Sequence, residues 1–129
     1  MAESFKPEIL KSRSKAFAIR IIRMCRTLPR TLDAQVIGKQ ILRSATSIAA
    51  NYRAVCRARS KAEFIAKIAV EEADETVFWL ELLRDSEIVS SARLSNLLKE
   101  ANELLAIFAA SQRTARSSAG PRPNDSMVR

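Results

Sequence analysis

RSATSIAANYRAVCRARSKAEF, residues 43–64, mixes small side chains with an arginine every few positions. Neither class suits a helix buried on all sides, yet the stretch holds no proline or glycine and reads as helix up to Arg57. Stepping about 100° per residue resolves the conflict by sorting the helix into three faces. Ile37, Ile41, Leu42, Ala45, Ile48, Ala49, Tyr52, Val55 and Cys56 form a core face. Lys39, Arg43, Arg53 and Arg57 share a second face with Thr46 and Ala50. Gln40, Ser44, Ser47, Asn51, Ala54 and Ala58 make a third, whose small side chains admit a close neighbour, either another helix of the chain or a second subunit. This third face is assigned to a subunit interface.

Working outward, Phe17, Ile21, Met24 and Leu28 mark a preceding helix from about Ser14 to Leu28, with an earlier start near Lys6 left open, and Pro29 closes it. Asp33 offers an N-cap to the second helix. Ser60 and Glu63 have the spacing of a capping box and open a third helix that runs to about Arg84. Its apolar arc is Phe64, Ile65, Ile68, Ala69, Ala73, Thr76, Trp79, Leu80, Leu82 and Leu83. After DSEIVSS, a fourth helix carries Leu94, Leu97, Leu98, Ala101, Leu104, Leu105 and Phe108 to about Arg113. Four amphipathic helices on short connectors predict an all-α, antiparallel up-down-up-down four-helix bundle over residues 14–116. Residues 1–13 form a partly helical extension, and 117–129 a polar tail expected to be disordered.

Two glycines in 129 residues agree with an all-helical chain. No apolar run reaches the roughly 20 residues of a membrane span. The first residues, MAESFKPEILKSRSK, lack a signal-peptide core, so a cytoplasmic location is expected. Net charge is +8 and unevenly spread. Residues 1–61 hold 14 Lys/Arg against 3 Asp/Glu, whereas residues 62–112 hold 4 against 10. The basic half can pair with the acidic one within or between subunits, or present a face to nucleic acid. Cys25 and Cys56, at very different heights on antiparallel helices, are expected to be two buried, reduced thiols.

Glu72 and Glu75 fall inside the apolar arc of the third helix. Folding about Arg59 brings Glu75 level with Arg43 and Glu72 near Thr46 and Ser47, with Arg20 or Arg23 at a similar height. A buried ionic layer of Glu72, Glu75 and Arg43 is therefore expected, of the kind that fixes register. The chain contains no histidine, which removes the commonest general base and zinc ligand. It has no phosphate-cradling glycine loop, no nucleophile elbow and no metal-binding cysteine pair. Ser44, Ser47 and Ser60 suit packing and capping better than nucleophilic attack. No catalytic residue, cofactor or metal site is assigned, and the protein is not expected to be an enzyme.

The run from Arg43 to Leu83, RSATSIAANYRAVCRARSKAEFIAKIAVEEADETVFWLELL, resembles the signature of the 23S rRNA intervening sequence proteins, or S23 proteins. LPRTLDAQVIGKQIL and LLKEANELLAIFAASQRTAR fit the same family, so the likeness spans about Ala16 to Arg116. Many members carry a proline and a glycine around the second-helix motif. This chain has Ala49-Ala50-Asn51-Tyr52-Arg53 there, which implies a straighter helix. The resemblance implies a homopentameric four-helix bundle without known enzymatic activity, and suggests a connection with RNA. The accessory variability proteins of diversity-generating retroelements, basic pentameric bundles that work with a reverse transcriptase and nucleic acid, are similar.

Two readings follow. In the favoured one, a basic face of Arg20, Arg23, Arg26, Lys39, Arg43, Arg53, Arg57 and Arg59 contacts phosphates of nucleic acid, with structured RNA preferred. In the other, the protein is a structural or adaptor oligomer that engages a protein partner, its charges paired between subunits in a head-to-tail interface.

Overall fold

Pro7 stands at the first position of the first helix, where a missing N–H is harmless because no intrahelical acceptor exists for it. The computed structural model describes residues 7–57 and 62–119. Four helices make up that span: α1 Pro7–Cys25, α2 Leu32–Arg57, α3 Ala62–Asp85 and α4 Ser91–Ala119. Helix α1 thus starts about two turns before Ser14 and stops three residues before Leu28. Its end unwinds into a turn in which the Thr27 and Leu28 N–H groups reach Met24 and Cys25 carbonyls. Pro29 forces this, since the residue before a proline is excluded from helical geometry.

Helix α2 begins when the Gln35 N–H bonds the Thr31 carbonyl, which makes Thr31 the cap. Asp33 lies inside the first turn, a correction to its expected role as cap. There its carboxylate accepts the Ala34 N–H at 2.8 Å. The Thr31 hydroxyl, and then that N–H, hold the Asp33 carboxyl below its ordinary value. Helix α3 ends with Ile88 N–H on the Leu83 carbonyl and Glu87 N–H on that of Arg84, the paired closure of a Schellman motif. Glu87 takes the left-handed position, φ 62°, more often given to glycine. Ser90 caps α4, its hydroxyl accepting the Arg93 N–H at 3.3 Å. Helix α4 runs past Arg113 to Ala119. The third helix's expected cap, Ser60, and the residues from 120 onward lie outside the described span.

Each helix packs on its neighbours in sequence, and α1 closes the ring against α4; α2–α3 is the most extensive contact. Cross-links fix opposite directions for neighbours: Arg13 meets Glu100 and Arg93 meets Thr27 between α1 and α4, while Ser44 meets Thr76 between α2 and α3. The architecture is an all-α bundle of four antiparallel helices. Its core joins Phe17, Ile21, Ile41, Ile48, Leu80 and Leu104, and Tyr52 stacks on Phe108 at 5.2 Å across it. Gly38 lets α1 fold back closely, since a Cβ there would stand 2.9 Å from the Leu28 Cδ1.

Three apolar assignments fail. Leu42 and Phe64 are exposed, and so is the Cys56 thiol, while Cys25 is half-buried. Both cysteines are free. Cys56 lies one turn beyond Tyr52, the last buried residue of α2. The Cys25 thiol donates to the Gly38 carbonyl, a contact that sets the relative heights of α1 and α2. At that register Cys56 is level with Pro7, the first described residue of α1.

Candidate nucleic-acid interface

Between α2 and α3 the polar contact runs at two depths. At the bottom, Ser44 and Thr76 are fully buried, and their hydroxyls are 2.8 Å apart. Thr76 also reaches its own helix at the Glu72 carbonyl, 2.8 Å, and Ser44 the Ile41 carbonyl, 3.3 Å. Above them, at the groove's edge, the Arg43 guanidinium bridges Glu72, at 3.3 Å, and Glu75. The Trp79 indole N–H donates to the same Glu75 carboxylate at 2.8 Å.

Folding about Arg59 therefore gives the expected partners, but not the expected depth. The Arg43 side chain is 48% exposed, so Glu72, Glu75 and Arg43 form a rim cluster and not a buried layer. A long guanidinium can reach over small neighbours and keep its charge in water. Arg20 and Arg23 stay exposed and join no part of it. The buried polar contact is the neutral Ser44–Thr76 pair.

This geometry also corrects the small-residue stripe. Ser44 belongs to the chain's own core and cannot be a subunit contact. Gln40, Ser47, Asn51 and Ala54 are half-buried on the same side of α2, where α3 packs. Ala58 lies outside the described residues, as does Arg59. At Ser44 the helix that approaches closely is α3.

The remaining cations stand outward. Arg20, Arg23 and Arg26 are exposed along α1 and its end, and Lys39, Arg53 and Arg57 along α2. None of the six takes part in the ion pairs found among the described residues, which engage Arg13, Arg43 and Arg84. Arg53 and Arg57 flank an open trough floored by Ala50, Ala54 and Ile65. A second, deeper pocket of about 210 Å³ opens where Tyr52 stacks on Phe108, but Val55, Ala66 and Ala69 make its walls largely apolar. Among the described residues no three acidic or thiol side chains converge on a point that could hold a metal, and no helix is long and apolar enough to cross a membrane.

The ion pair between α1 and α4 is absent from the sequence reading. Arg13 grips the Glu100 carboxylate through two nitrogens, at 2.6 and 3.1 Å, tying α1 to α4. That hydrogen bonding raises the Arg13 pKa. The apolar stripe of α1 gives Arg13 no partner by itself; Glu100 sits on α4 between Leu97 and Leu104, a spacing that aims it at a neighbouring helix.

The family model for 23S rRNA-intervening sequence proteins matches residues 8–110, nearly the whole bundle. The chain belongs to that family. It is also similar to a solved structure described as a protein of unknown function from the S23 ribosomal protein family of Bacteroides thetaiotaomicron. That likeness has 32% identity and a TM-score of 0.77, and covers 83% of this chain and 97% of the other. No curated protein matches the chain.

Proposed function

We propose that this member of the family is a non-enzymatic, oligomeric bundle that binds structured RNA through the basic surface of α1 and α2. The observation that carries the reading is the set of outward cations without an ion-pair partner among the described residues, Arg20, Arg23, Arg53 and Arg57 foremost. Cations whose charge is not taken up within the chain are the ones that can displace counterions from a phosphate backbone. Arg43 is a weaker candidate, because Glu72 and Glu75 already claim its guanidinium. Recognition by these arginines rests on charge and shape.

A gel shift with a structured RNA tests it. The Arg53→Gln/Arg57→Gln variant, altered only at exposed positions, should keep its fold and lose roughly tenfold or more in affinity. Equal affinity for variant and wild type would contradict recognition by this surface, and a wild type that binds no structured RNA would favour the alternative, an adaptor oligomer that engages a protein partner.

A further inference from the structure

Along the inner side of α3, side-chain size changes between its two ends. Leu80 and Leu83 fill the bundle towards the end of the helix, whereas Ala66, Ala69 and Ala73 stand on the same stripe nearer its start. Small side chains there leave room opposite the stacked rings of Tyr52 and Phe108, and the result is the pocket of about 210 Å³. Its walls come from three helices, with Val55 of α2 completing the apolar part. An engineered apolar cavity of about 150 Å³ accepts benzene. The pocket here is larger, so a ring with a short arm fits.

Polar groups also line it, and Ser111 and Glu63 each bury an oxygen there. Among the described residues no hydrogen-bond partner reaches the Ser111 Oγ. Keeping a hydroxyl from water without a partner is costly, and a serine on a helix ordinarily turns to a carbonyl of the preceding turn instead. Glu63, on the first turn of α3, adds a carboxylate. A carboxylate accepts several hydrogen bonds, so it can take a cation beside any other contact it makes. Aromatic faces favour a cation as well.

We propose that this pocket binds a small primary amine with an aromatic body, of the size of phenethylamine. The ring lies against Tyr52, Val55 and Phe108 in the space left by the alanines. The ammonium donates to the Glu63 carboxylate and to the Ser111 Oγ. An acid of the same shape is rejected, because its carboxylate would face that of Glu63.

Calorimetric titration of the full chain at neutral pH with phenethylamine, phenethyl alcohol and phenylpropionate tests this. The amine should saturate one site per chain. The alcohol should bind roughly tenfold more weakly, the difference between a charged and a neutral hydrogen bond, and the acid should not bind. Ala66→Leu fills the pocket with a good helix former and should abolish binding of the amine. Glu63→Gln should bring the amine down to the affinity of the alcohol and leave the alcohol unchanged. Circular dichroism checks that each variant folds; should Ala66→Leu fail to, Glu63→Gln still decides, since it leaves the walls of the pocket intact. A wild type without saturable binding of the amine, or one that takes amine and acid alike, would overturn the proposal. So would a folded Ala66→Leu that still binds the amine, or an amine-to-alcohol preference unmoved in Glu63→Gln.

Discussion

The buried hydroxyl pair between α2 and α3 makes a quantitative prediction. Two protons serve the set in either direction. Thr76 can donate to Ser44 while Ser44 donates to Ile41, or Ser44 can donate to Thr76 while Thr76 donates to Glu72. Thr76→Val keeps the shape and removes the shared bond, and Ser44 falls back on the Ile41 carbonyl. Ser44→Ala removes the same bond, and Thr76 falls back on Glu72. Each single change should cost about 1 kcal/mol, the usual net worth of such a bond. The double variant loses it only once and should also cost about 1 kcal/mol, giving a coupling near 1 kcal/mol. Urea unfolding reads this as a midpoint shift of roughly 0.5 M for each single and no further shift for the double. Costs that add to within about 0.4 kcal/mol would show that the hydroxyls do not act together, and would refute the shared hydrogen bond.

Three further outcomes are expected. Burial, then the neighbouring Cys56, pushes the Tyr52 phenol up to about 12; as this is the only tyrosine, tyrosinate absorbance should titrate near 12 in the folded chain and near 10 in urea. Because the folded pKa is the higher, the contribution to stability is intact below about 10 and is lost as pH rises through 12; a folded midpoint near 10 would contradict the Tyr52–Phe108 packing. Thiol labelling should be fast at exposed Cys56 and at least about tenfold slower at Cys25, whose thiol burial raises to about 11; equal rates would place Cys25 at the surface. Glu75→Gln should cost less than about 1 kcal/mol, since Arg43 is half-exposed and the amide oxygen can still accept the Trp79 N–H; a loss above about 3 kcal/mol would mean the cluster is buried after all.

The helices and their order were legible because each apolar stripe repeats with helical period. Phe17, Ile21 and Met24 on α1, and Leu94, Leu97 and Leu104 on α4, all reach the core. Pairing Arg43 with Glu75 was also legible, because an antiparallel fold about the α2–α3 connector fixes heights. Periodicity does not say how far around a helix its neighbours extend. A fourfold ring gives α2 two flanks, and α3 covers the one bearing Ser44, so a small polar residue suited to a subunit contact serves an internal one. The same uncertainty put Phe64 on the apolar arc, although its position on α3 is the outer one. Rim exposure of Arg43 was hidden for a different reason: depth depends on side-chain reach, which helical stepping ignores.

Affinity for a structured RNA, followed by fluorescence anisotropy across ionic strengths from about 50 to 200 mM, tests the proposed role of the basic face most directly. Each phosphate contact adds about 0.7–0.9 to the steepness of log K against log salt. With Arg20, Arg23, Arg53 and Arg57 engaged, a slope of about −3 per subunit is predicted, falling by about 1.5 in the Arg53→Gln/Arg57→Gln variant. A flat salt profile, or a slope unmoved by losing both arginines, would contradict phosphate recognition by this surface.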